Sequence, residues 1–100
     1  MTAEPALVFR VHAVQQMFRR GISEVDVRDV VANGTVIERY PDDLPFPAEV
    51  RLGWVGAGPG ATPLHIVTSF DATSNTLFVV TVYQPDPRLW EDGFRRRRKP

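Results

Sequence analysis

Cysteine is missing from this 100-residue chain, so disulfides, thiolate metal sites and thiol nucleophiles are all excluded. Histidine is nearly missing too. Two imidazoles without a ligand-like spacing cannot make a structural zinc site unless carboxylates join them, and Asp42-Asp43, on a proline-rich stretch, reads as a solvated turn. Long apolar runs are absent, and nothing approaches the ~18 residues of a membrane span. Met1-Thr2-Ala3-Glu4-Pro5 has no basic segment leading into an apolar stretch, so no secretory signal is expected and the cytoplasm is the expected compartment. The P-loop, the dinucleotide-binding glycine pattern and the zincin helix do not occur. Gly53–Gly60 is glycine-rich, but no helical pattern follows it, so it reads as a hairpin connection. No metal and no cofactor is expected.

What is present suits one small globular domain. The apolar fraction is 43%, and a chain of this length has room for one core only. The formal net charge of zero hides an asymmetry. Through Phe94 the seven arginines and twelve acidic residues leave −5, and Arg95-Arg96-Arg97-Arg98-Lys99 then restores +5. An acidic body with a basic block at the end is a pattern of interaction arms. Five phosphate contacts from that block would give a salt slope of roughly −3.5 on single strands.

Local signals divide the chain in two. Ala6–Val11 is apolar and extended in character. From His12 to Arg20, Ala13, Val14, Met17 and Phe18 recur at helical spacing, and Gly21 suits a left-handed helix end. Ser23 is a good N-cap with Asp26 three residues on, and Ile22 and Val27 could form a hydrophobic staple. Val27, Val30 and Val31 make the stripe of this second helix, which Asn33-Gly34 ends. Beyond it the period changes to two. Strands are expected over Thr35–Tyr40, Val50–Val55, Leu64–Phe70 and Leu77–Tyr83, the last apolar on both sides and therefore internal. Leu89, Trp90 and Phe94 are candidates to pack back before the tail. The expected class is α+β: a two-helix hairpin packed on a curled, mainly antiparallel four-stranded sheet. It forms one domain over residues 1–94, followed by a basic tail over 95–100.

Alternation also sorts side chains onto faces. With Leu52, Trp54, Leu64, Ile66, Phe70, Phe78, Val80 and Val82 toward the helices, the opposite face carries Arg51, His65, Ser69, Thr81 and Tyr83, together with Val67, Leu77 and Val79. The chemically capable residues there fit cleavage of RNA by its own 2′-hydroxyl. Imidazoles suit the proton transfers near neutrality, and guanidinium forks match phosphate oxygens. Tyr and Thr hydroxyls can position oxygens or donate protons. The assignment requires His65 to face away from the core, toward His12 and the guanidinium groups.

His12-Ala13, Met17 and Arg20-Gly21-Ile22-Ser23, followed by the Val27–Val31 helix and Gly34, resemble the opening of the bacterial domain-of-unknown-function family 4258. Pro63-Leu64-His65-Ile66-Val67 and Val80-Thr81-Val82-Tyr83 resemble that family's last two strands. Gln16 stands where the family often carries an arginine. The family is similar to the RelE, barnase and colicin group of small toxin nucleases, and so implies a RelE/barnase-like fold. The resemblance further implies a metal-independent ribonuclease using His12, Arg20 and His65. It also implies an antitoxin partner, in some cases a zinc-finger and helix-turn-helix protein, that masks the active face.

Two functions are therefore expected to compete. The first is the toxin of a toxin–antitoxin pair acting on RNA, with His12 and His65 as base and acid, Arg20 and Arg51 at the phosphate, and Thr81 and Tyr83 beside them. The alternative is a non-catalytic protein- or RNA-interaction module on the same scaffold, binding through the Arg95–Lys99 tail or an exposed sheet edge.

Overall fold

A computed structural model describes residues 3–99. Helix α1 (Val11–Arg20) turns its one buried residue, Ala13, and half-buried Met17 inward, and Gly21 closes it in the left-handed conformation at φ 64°. The Gly21 and Ile22 amides then bond back to Phe18 and Met17 carbonyls, satisfying orphaned acceptors at the helix end. Helix α2 (Glu24–Asn33) begins as its sequence predicts, with the Asp26 amide donating to the Ser23 hydroxyl at 3.1 Å. Its end falls at Asn33-Gly34, as expected. Gly34 is extended, and glycine is needed there for space: a Cβ would lie 2.5 Å from the Val30 carbonyl oxygen and 2.7 Å from that of Leu52.

The sheet has five strands rather than four, and it is mixed. In chain order they are β1 (Ala6–Phe9), β2 (Thr35–Tyr40), β3 (Ala48–Val55), β4 (Thr62–Asp71) and β5 (Thr76–Tyr83). Their spatial order is β1-β5-β4-β3-β2, all neighbours antiparallel except β1 with β5. The extended Ala6–Phe9 stretch thus joins the sheet as a parallel edge strand, which leaves β5 internal. Both helices lie on one face. Ala13, Val27 and Val30 pack there against Leu64, Ile66, Val79 and Val82, with Leu7, Phe9, Met17 and Ile22 around them.

The expected faces hold for β4 and fail for β3. Cross-strand partners share a face, and Leu52 pairs with His65, Trp54 with Pro63, and Arg51 with Ile66. Leu52 and Trp54 therefore point away from the helices, and Arg51 and Gly53 point toward them. The reason is close packing: a Cβ on Gly53 would sit 2.4 Å from Val30 Cγ2, so α2 rests directly on the β3 backbone. In β5 a bulge intervenes. Val67 pairs with Thr81 but Thr68 with Val79, which leaves Val80 as an extra residue and reverses the pleat. Val82 and Val79 both face the helices, and Phe78 turns outward to stack on Phe46 at 5.8 Å. Leu77 and Val79, expected beside His65, belong to the helix side.

The chain after Tyr83 folds back over the outer face. The Trp90 and Arg97 backbones form an isolated antiparallel bridge, and the Arg98 amide donates to the Leu89 carbonyl at 2.8 Å. Trp90 is buried at 2% exposure and Phe94 half-buried, whereas Leu89 stays exposed.

Candidate functional site

The residues expected to act together are divided between the two faces. His12 is exposed at the start of α1, on the helical side of the sheet, and Arg20 is exposed at the far end of the same helix. Arg51 is also on the helical side, half-buried beside α2. It donates to the Val31 carbonyl at 2.9 Å, to the Thr68 hydroxyl at 3.3 Å and to Glu49 at 3.1 Å. Glu49 is shared with Arg39. The groove beside Arg51, about 420 Å³, has Pro5, Pro47, Phe70 and Leu77 for walls, and its polar lining is this compensated ion-pair cluster with the Thr68 hydroxyl that Arg51 engages. Arg51 is therefore a pin between sheet and helix rather than a neighbour of His65. His12, His65 and Arg51 therefore do not form one site, and the expected nuclease with His12 and His65 as base and acid fails.

His65, Thr81 and Tyr83 do share the outer face, since His65 pairs with Tyr83 and Val67 with Thr81. His65 itself is fully buried. Its Nε2 lies 2.8 Å from the Phe94 carbonyl oxygen and its Nδ1 3.1 Å from the Tyr83 hydroxyl. A carbonyl only accepts, so Nε2 carries the proton, and Nδ1 accepts from the Tyr83 hydroxyl. The Trp90 ring stands edge-on to the imidazole at 4.4 Å. Burial pushes the His65 pKa down, against the Phe94 carbonyl and the Glu38 charge, so the ring is neutral. Burial likewise pushes the Tyr83 hydroxyl up.

Above this buried pair lies a cluster that reaches solvent. In β2 the side chains of Glu38 and Tyr40 alternate onto the outer face, Glu38 pairing with Val50 and Tyr40 with Ala48. Arg97 donates from Nε and Nη2 to the two Glu38 oxygens at 2.9 and 3.1 Å, a bidentate fork. The Tyr40 hydroxyl donates to Glu38 at 2.6 Å. The Arg97 guanidinium also lies over the Trp90 ring at 4.6 Å. Burial raises the Glu38 carboxyl, but the Arg97 and Tyr40 hydrogen bonds and the Arg97 charge outweigh it and hold the group below the ordinary carboxylate value. Its hydrogen bond to Glu38 keeps Tyr40 protonated, with a raised pKa.

Sequence reasoning missed Glu38, Tyr40 and Arg97. One signal could have found the first two: polar residues spaced by two on a strand whose partner faces His65. Trp90 and Phe94 before the basic block were the signal for the third, since aromatic anchors bring the arginines back onto the body. Among the described residues, no group of three or more His, Asp or Glu side chains is arranged to hold a metal ion. None of the helices is long and apolar enough to cross a membrane.

The sequence model of the DUF4258 family, described as a domain of unknown function, matches residues 9–84, from the end of β1 to just past β5. No curated protein and no solved structure matches the chain.

Proposed function

The chain belongs to the DUF4258 family, and from that premise we propose that it is the toxin of a toxin–antitoxin pair, a metal-independent ribonuclease working at its outer face. The observation that carries this reading is the solvent-reaching Glu38–Arg97–Tyr40 cluster over the buried His65–Tyr83 pair. A carboxylate, a protonated hydroxyl and a guanidinium within hydrogen-bonding distance are the groups that self-cleavage of RNA needs.

In this mechanism a substrate phosphate takes the Arg97 fork away from Glu38. Losing that partner, the Glu38 carboxyl rises toward the ordinary carboxylate range and becomes a better base. Glu38 accepts the 2′-hydroxyl proton as that oxygen attacks the adjacent phosphorus. The bond from phosphorus to the 5′ oxygen breaks, the Tyr40 hydroxyl protonates the leaving oxygen, and Glu38 returns a proton to Tyr40. The products are a 2′,3′-cyclic phosphate and a free 5′-hydroxyl. His65 is a positioning residue: through the Phe94 carbonyl it holds the segment that delivers Arg97. The RNA is the substrate, and a cognate antitoxin protein is the partner that would cover this face.

The test is incubation of the purified chain with single-stranded RNA in the presence of a chelator. Cyclic-phosphate ends are expected, with cleavage about 10²- to 10⁴-fold slower in Glu38→Gln. RNA left intact by the unsubstituted chain, together with unimpaired growth on its induced expression, would refute the reading.

One observation favours a second reading, a non-catalytic interaction module. Both oxygens of Glu38 are already engaged, as in a clasp that only fastens the C-terminal segment. That reading expects binding without cleavage, weakened by truncation after Phe94.

A further inference from the structure

Strand β2 is shorter than the strand it covers. Its pairing with β3 begins at Thr35 opposite Leu52, so Gly53, Trp54 and Val55 have no β2 residue beside them. The notch left there is a cavity of about 410 Å³, bounded by Asp29 and Asn33 of α2, by Trp54, and by Gly93 and Arg95 of the returning C-terminal segment. Trp54 is 47% exposed although it is the largest side chain of its strand. The Phe94 ring braces it edge-on at 6.0 Å, which fixes the indole without covering it. Arg95 is exposed and, among the described residues, makes no side-chain hydrogen bond or ion pair. Asp29 accepts from the Asn33 amide at 2.9 Å, which leaves its second oxygen as an acceptor at the rim, while Asn33 keeps both its carbonyl oxygen and its second N–H.

We propose that this notch is a binding subsite for one nucleotide of single-stranded RNA, with the base stacked on Trp54 and a phosphate held by Arg95. The inference rests on the reading of the chain as RNA-directed and names how the strand is gripped away from the Glu38 cluster. An exposed, braced indole beside a free guanidinium is the pairing that single-strand binders use: a π-face for any base and a cation for the backbone. The volume is that of a small-ligand pocket. The rim adds a preference. The free Asp29 oxygen only accepts, so it fits a base edge that carries an exocyclic amino group and disfavours one that presents a carbonyl oxygen, whereas Asn33 can adapt to either. Cytosine and uracil, nearly equal in size and stacking area, differ in this respect. The basic block thereby gains a second role beyond delivering Arg97, because its first arginine faces the notch.

The experiment uses the full chain and 2′-O-methyl oligocytidine and oligouridine, which cannot undergo self-cleavage, with binding followed by fluorescence anisotropy. Oligocytidine should bind more tightly than oligouridine. Trp54→Ala should weaken binding by about 5- to 150-fold, the range of one base–aromatic stack. Arg95→Gln, at an exposed position that leaves the fold intact, should lower the slope of log affinity against log salt by about 0.7. Asp29→Ala should erase the cytidine preference. Unchanged affinity in Trp54→Ala and an unchanged salt slope in Arg95→Gln overturn the subsite, even if the chain cleaves RNA. Loss of both in a chain that never cleaves RNA upholds the subsite and rejects only the ribonuclease.

Discussion

The two faces of the sheet are covered in different ways. On one side α1 and α2 press Ala13, Val27 and Val30 onto Leu64, Ile66, Val79 and Val82, all aliphatic and all within 2% of complete burial. On the other side no α-helix packs among the described residues, and the segment after Tyr83 lies over His65, Tyr83, Glu38 and Tyr40 by way of Trp90, Phe94 and Arg97. A charged group placed under the helices would need a partner inside an apolar layer, and Arg51 escapes that cost only at the rim, through three acceptors. Under the irregular segment the titratable groups keep partners: His65 is sealed with Tyr83, and Glu38, Tyr40 and Arg97 reach water. The wholly aliphatic layer therefore lies on the helix side, and the buried and partnered titratable groups gather on the other.

This division should be easiest to break from the helix side. Ile66→Ala removes a fully buried side chain from a layer held between two helices and should cost about 2–5 kcal/mol in urea unfolding. Gly53→Ala should cost about 1–3 kcal/mol, because the new methyl would meet Val30 Cγ2 at 2.4 Å and α2 must lift to admit it. If both variants unfold like the parent chain, the helix layer is not where the stability resides.

The same division decides what could be read from the sequence. The two helices were legible because each has one buried stripe and a recognisable end, Gly21 in one case and the Ser23 cap in the other. Strand β3 was legible in extent but not in phase. Its outer face is also covered, so Leu52 is buried away from the helices, while the residue under α2 is a glycine with no hydropathy to display. Alternation carries no phase information when both faces are dry. In β5 the extra residue at Val80 reverses the pattern halfway along, and nothing local marks it. Strand β1 escaped because four residues are too few for a period and their partner, Thr76–Val79, lies at the other end of the chain. The site was half legible. His65, Thr81 and Tyr83 fall on one face as alternation requires, but Arg97 reaches Glu38 across 59 residues, through a basic block that by composition alone reads as solvated.

A pH titration sharpens the contrast, because the helix-side core holds no titratable group and the outer face does. His65 is held neutral by burial, below its ordinary value of 6.5. The unfolded chain takes up a proton below that pH, whereas the folded chain refuses it until more acid conditions. The stability carried by neutral His65 is thus complete above about pH 6.5 and falls as the pH drops below it. Glu38 acts lower: burial raises it, but Arg97 and Tyr40 hold it below its ordinary 4.5, so its contribution is present above that pH and is lost as the pH falls through the depressed folded value. Urea unfolding between pH 8 and 5 should therefore show stability declining from about pH 6.5, and His65→Gln should flatten that decline. A decline of equal size in His65→Gln would place its origin elsewhere.

The smallest expected effect concerns the pair at the centre of the proposed mechanism. Arg97 and Glu38 have side-chain exposures of 55% and 20%, so water and salt screen much of their attraction. A double-mutant cycle with Glu38→Gln and Arg97→Gln should return a coupling of about 0.2–1 kcal/mol in unfolding free energy, shrinking as salt is added. A weak coupling is what the proposed mechanism requires, since a phosphate must draw Arg97 away from its carboxylate at little cost. A coupling well above that range would make the pair the clasp that fastens the C-terminal segment over His65, and would favour an interaction module that binds without cleaving.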